Sequence, residues 1–143
     1  ESGVEGNAEA DARLIKGSGT LLIVDDEELV LDVGANMLEK LGYTVLKAHS
    51  GTEAVDIFKA HQDKIKMVIL DIIMPDMGGG AVFEEIKPIN PGVKVLLSSG
   101  YSVDGQAIEL LEAGCDGFMQ KPFTMEELSK KIGQILDTRR AKS

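Results

Sequence analysis

From Thr20 onward, short apolar runs alternate with longer stretches whose apolar residues recur every three or four positions. The runs Leu21–Val24, Thr44–Ala48, Met67–Leu70, Val93–Leu97 and Gly117–Met119 are rich in Val, Ile and Leu. That is the composition of parallel strands buried on both faces. Between them Val30, Val33, Met37, Leu38 and Leu41 keep helical spacing, as do Leu128, Ile132, Ile135 and Leu136 near the other end. Ser50 with Glu53, and Thr124 with Glu127, are spaced as capping boxes that open helices. Gly42 closes the first helix, Pro88 falls near the end of the third, and Gly114 closes the fourth. Strands alternating with helices predict an α/β fold. With right-handed crossovers it is a doubly wound, five-stranded parallel sheet with helices on both faces.

Residues 1–19 lack sustained periodicity and are rich in Gly, Ala, Ser and Glu, so they read as a linker or the end of a preceding domain. The chain starts at Glu1 rather than Met, which suggests a piece of a longer polypeptide or a processed chain. At 143 residues, 43% hydrophobic and 27% charged, it fits one globular domain, read as residues 20–138. No apolar stretch is long enough to span a bilayer, and the N-terminus has no secretory signal, so no membrane contact is expected. A single Cys115 excludes an internal disulfide and points to a reducing, cytoplasmic compartment. The net charge of −9 argues against nucleic acid as a direct partner. Arg139, Arg140 and Lys142 form a short basic tail over residues 139–143, read as a solvated helix end.

Polar residues fall where an open α/β sheet collects its chemistry, beyond the carboxyl ends of the strands. Asp25 and Asp26 follow the first run, Asp71 the third, Ser98 and Ser99 the fourth, and Lys121 the fifth. Each has a plain reading alone: a helix N-cap for Asp25 or Asp26, a turn for Asp71, a loop hydroxyl for Ser99, a surface ammonium for Lys121. Together they make a coherent set. Two carboxylates about 4 Å apart repel by roughly 4 kcal/mol at an effective dielectric near 20, so three require protons or a cation. Oxygen ligands suit Mg²⁺ better than zinc, and His49 and His61 have no metal-binding spacing with the lone Cys. A carboxylate beside Mg²⁺ and a lysine is equipped to attack phosphorus and form an acyl phosphate.

The runs Leu22-Ile23-Val24-Asp25-Asp26-Glu27, Val68-Ile69-Leu70-Asp71 followed by Met74-Pro75-Asp76-Met77-Gly78, Leu97-Ser98-Ser99-Gly100-Tyr101, Ala113-Gly114, and Lys121-Pro122-Phe123 resemble a bacterial two-component response-regulator receiver domain. The resemblance implies a flavodoxin-like strand order 2-1-3-4-5. It makes Asp71 the phosphoacceptor and Asp25, Asp26 and Asp71 ligands of Mg²⁺, joined by the backbone carbonyl of Ile73. It assigns Ser99 as the switch hydroxyl, Lys121 as the phosphoryl partner and Phe118 as the aromatic switch, with a cis Lys121–Pro122 peptide. The implied partners are a histidine kinase or phosphotransfer domain, and an output partner on the face of the fourth helix, fifth strand and fifth helix, near Val103–Ala113 and Gly117–Asp137. Such a domain catalyses its own phosphorylation and dephosphorylation without being a turnover enzyme. Lys16-Gly17-Ser18-Gly19-Thr20 and the Ser-Gly-Tyr loop are similar to the C-terminal receiver of a hybrid sensor histidine kinase.

Three other readings compete. An Asp-nucleophile phosphohydrolase would place an acid two residues after Asp71, where Ile73 stands. A flavin carrier would need a phosphate-cradling loop where Asp25–Glu28 stands, and those acids repel phosphate. A non-phosphorylated docking module would have no need of the intact set of acids, hydroxyl and lysine.

Overall fold

The computed structural model describes residues 17–100 and 105–136. The elements run β1 (Thr20–Val24), α1 (Glu28–Lys40), β2 (Thr44–Ala48), α2 (Gly51–His61), β3 (Ile65–Asp71), α3 (Gly79–Ile86), β4 (Lys94–Ser99), α4 (Gly105–Glu112), β5 (Gly117–Gln120) and α5 (Met125–Leu136). The strands form one parallel sheet in the order β2-β1-β3-β4-β5, as expected. Most of the N-terminal linker reading, Tyr101 and Val103 of the fourth loop, and the basic tail lie outside the described residues.

Alternation along the strands divides the core in two. Leu22, Val24, Val68, Leu70, Val95 and Leu97 pack with Phe58, Val82, Phe83, Ile86 and Ala107, so α2, α3 and α4 cover that face. Leu21, Ile23, Met67, Ile69 and Leu96 pack with Leu31, Leu38, Leu128 and Ile132, so α1 and α5 cover the other. Helix ends follow the chain's punctuation. Thr124 Oγ1 accepts from Glu127 N at 3.1 Å while Glu127 Oε1 accepts from Thr124 N at 2.8 Å, a reciprocal capping box. At Ser50 only the forward bond forms, from Glu53 N at 3.1 Å. Gly42, at φ +105°, closes α1 with Tyr43 N donating back to Leu38 O.

Three expectations shift. β2 is an edge strand with Thr44 and Lys47 exposed, so it is not buried on both faces. β3 and β4 run further than their apolar residues, making Asp71 and Ser99 the last strand residues rather than the first loop residues. In α1 the core-facing stripe is Leu31, Gly34, Ala35 and Leu38, while Val33 is 46% exposed and Val30 and Met37 are half-buried. The helix carries two apolar stripes. Its small residues settle which one packs, since a Cβ on Gly34 would lie 2.6 Å from Ile23 Cδ1.

Candidate functional site

The carboxyl ends of the central strands meet at one edge of the sheet. Asp25 follows β1, Asp71 ends β3, and Lys121 follows β5. Asp25 and Asp71 are buried and Asp26 is exposed. Carboxylate oxygens from Asp25, Asp26 and Asp71 lie within 4.8 Å of one another. Lys121 Nζ donates to Asp25 Oδ2 at 2.9 Å and stands 3.5 Å from Asp71 Oδ2 and 3.8 Å from Glu27 Oε1. The Lys121–Pro122 peptide is cis, as the receiver resemblance implies.

Asp25 is not the N-cap of α1, and neither is Asp26. Glu27 takes that position without a side-chain cap, and Asp25 Oδ1 accepts from Glu27 N at 2.9 Å. Both Asp25 oxygens are therefore held in place before anything binds.

One ammonium does not neutralise this cluster. Burial raises the Asp71 pKa, Lys121 pulls it back, and Asp25 pushes it up again, leaving it at about 6. Burial also works against the Lys121 ammonium, but its hydrogen bond to Asp25 and the charge of Asp71 outweigh that and hold its pKa above the usual range. Hard oxygen donors crowded at this spacing, with excess negative charge, fit a divalent cation of the Mg²⁺ kind. Among the described residues no His or Cys joins the group. His49 is exposed between Glu53 and Glu28, His61 is half-buried, and burial pushes the Cys115 thiol up to about 12.

The remaining site residues surround this cluster. Ile73 N donates to Asp71 Oδ1 at 3.4 Å, and the residue is 53% exposed. Ser99 shares a cleft of about 720 Å³ with Asp26, Asp71, Gly100 and Lys121, and its carbonyl accepts from Lys121 N at 2.7 Å. Ser98 instead pairs with Asp71 across the sheet, its carbonyl accepting from Ile72 N. Phe118 lies opposite Leu97, half-buried against the α2–α4 face of the core.

Sequence reasoning did not anticipate the apolar wall of the cleft, made by Leu29, Val30, Val33, Met37 and Phe123. Its signal was the second stripe of α1. Leu29 and Val33 are four residues apart and exposed at 78% and 46%.

An α/β sheet of this order, with an acidic cleft and a half-buried lysine at its carboxyl edge, defines a class that its relatives make specific. The response regulator receiver domain model matches residues 21–133, and the chain belongs to that family. It is 34% identical over 123 residues to the sensor kinase CckA of Brucella abortus, covering 86% of this chain and 13% of CckA. It is 32% identical to the autoinducer 1 sensor kinase/phosphatase LuxN of Vibrio campbellii, covering 88% of this chain and 14% of LuxN. The chain thus spans a small part of these relatives. A response regulator receiver domain protein from Clostridium thermocellum superposes with a TM-score of 0.80 at 31% identity, covering 87% of this chain and 99% of that one. The complex of CheX, CheY, BeF₃ and Mg²⁺ from Borrelia burgdorferi gives 0.78 at 25% identity, covering 82% and 88%. The protein is a receiver domain of two-component signal transduction. Among the described residues no helix is long and apolar enough to cross a membrane.

Proposed function

We propose that Asp71 accepts a phosphoryl group from the phosphohistidine of a histidine kinase or phosphotransfer domain, and that this shifts the face made by α4, β5 and α5. The observation that carries the reading is Lys121 Nζ seated between buried Asp25 and Asp71 at the edge of an acid cluster. Asp25, Asp26 and Asp71, with the Ile73 carbonyl, would hold Mg²⁺, which when bound supplies positive charge to the transferring oxygens. An Asp71 carboxylate oxygen attacks phosphorus as the P–N bond to the donor imidazole breaks, and the imidazole leaves neutral, keeping the proton carried on its other ring nitrogen. Lys121 holds one phosphoryl oxygen, and the Ser99 hydroxyl donates to another. A donor protein that brings its imidazole to Asp71 has to cover exposed Leu29, Val33 and Ile73, which make that approach apolar.

The output step rests on Ser99 and Phe118. A phosphoryl group adds negative charge and acceptor oxygens beside Ser99. Movement of the hydroxyl toward Asp71 opens space that Phe118, half-buried on β5, turns inward to fill. Burying a Phe side chain is worth roughly 1.5–3 kcal/mol, enough to shift a two-state equilibrium about tenfold or more. With Mg²⁺ and beryllofluoride, NMR shifts should change along Ala107–Glu112 and Phe118–Gln134 as well as around Asp71. Changes confined to the Asp71 shell would rule the relay out.

The CckA and LuxN likenesses favour a receiver joined to a sensor kinase, and the lone Cys115 favours a cytoplasmic setting. The domain is read as residues 20–138.

A further inference from the structure

The β3–α3 loop, residues 72–78, carries Ile73 and is tied down at both ends and in the middle. At its root Ile73 N donates to Asp71 Oδ1, and Gly79 N closes the loop onto Ile72 O at 2.8 Å. Gly79 itself admits no side chain, because a Cβ there would lie 2.7 Å from Asp71 O. The middle tie lies outside the acid cluster. Asp76 reaches across to the start of α2, where Oδ1 accepts from Gly51 N at 3.2 Å and Oδ2 accepts from Thr52 N at 3.1 Å and Thr52 Oγ1 at 2.8 Å. Ser50, the N-cap, engages only Glu53 N among these first amides, so Asp76 satisfies donors that the helix's own cap leaves open.

The contact is also steric. A Cβ on Gly51 would come 2.5 Å from Met77 O and 2.6 Å from Met77 Cβ, so the loop lies directly on the helix end. The hydrogen bonds from Thr52, first its amide and then its hydroxyl, hold the Asp76 carboxyl down to about 2. Asp76 is therefore an acceptor-only clamp at any working pH. It is exposed and absent from the group of oxygens that surrounds the cleft.

We propose that Asp76, clamped on Gly51 and Thr52, is a positioning residue for the metal loop, holding the backbone of Ile73 over the acid cluster. This rests on the reading that the Ile73 carbonyl ligates Mg²⁺. Groups that orient a ligand from behind commonly change metal affinity by about 10–100-fold when removed. Carbonyl ligands depend on such support more than carboxylates, because only the path of the loop aims them.

The test uses four single variants of the domain: Asp76→Ala, Thr52→Val, Thr52→Ser and Asp25→Asn. Calorimetry measures Mg²⁺ affinity, and amide hydrogen exchange on metal-free protein measures how firmly residues 72–77 are held. Asp76→Ala should weaken Mg²⁺ about tenfold and speed exchange at Ile73, with β1 and β3 protection unchanged. Thr52→Val removes the hydroxyl without touching any charge, and should shift both readouts in the same direction by less. Thr52→Ser should restore both, which a loss of negative charge cannot explain. In acetyl phosphate labelling, the Mg²⁺ concentration for half-maximal rate should rise while the rate at saturating Mg²⁺ stays near wild type. If Asp76→Ala does not fold, the Thr52 pair carries the comparison. Unchanged Mg²⁺ affinity in Asp76→Ala or Thr52→Val, with affinity lost in Asp25→Asn, overturns the positioning role alone. Unchanged affinity in Asp25→Asn as well overturns the metal site beneath it.

Discussion

Metal-free Asp71→Asn should be more stable than the parent protein at pH 8, by about 1–3 kcal/mol, with most of that gain gone near pH 4.5. Burial sets the sign. Asp71 has a folded-state pKa of about 6 against an ordinary value of 3.8. Between those values the folded state binds more protons than the unfolded one, so the Asp71 contribution weakens as pH rises through about 6. A carboxyl displaced that far alters stability by roughly 3 kcal/mol, and by less where the open cleft admits solvent. Asn keeps an acceptor for Ile73 N and drops the charge that Asp25 repels. Urea melts at pH 8 and 4.5 decide it. A variant less stable than wild type at pH 8 would contradict the electrostatics. Mg²⁺ should narrow the gap at pH 8, since a ligand of the folded state alone adds about 2.7 kcal/mol at one hundred times its Kd.

Asp25→Asn and Asp26→Asn should each weaken Mg²⁺ at least tenfold, or about 1.4 kcal/mol or more. Each removes one charged oxygen from a group whose members lie within 4.8 Å. Asp25 should cost more. Its two oxygens are held by Glu27 N and Lys121 Nζ, whereas Asp26 is exposed and has its orientation still to fix. Calorimetry showing wild-type affinity in both variants would remove the metal site.

Much of the fold and the acid cluster is legible in the sequence. Parallel α/β topology sends every strand's carboxyl end to the same edge, so Asp25, Asp71 and Lys121 can be joined from their places after apolar runs. Glycine and capping residues mark helix ends because their roles are local. What stays hidden depends on packing between elements. The two apolar stripes of α1 are equivalent as periodicity, and only the close approach of Gly34 to Ile23 selects the inner one. That choice leaves Leu29 and Val33 beside the cleft. Asp71 and Ser99 read as loop residues because apolar patterning ends a strand at its last apolar side chain, whereas backbone pairing carries it further. The Asp76 clamp joins residues 24 and 25 positions apart and has no sequence signature at all.

Phosphorylation of Asp71 is open to a direct test, intact-mass measurement after incubation with acetyl phosphate and Mg²⁺. One added phosphoryl group is expected, mapped to Asp71, removed by hydroxylamine and absent from Asp71→Asn. Equal labelling of Asp71→Asn, or a stable adduct on another residue, would contradict it.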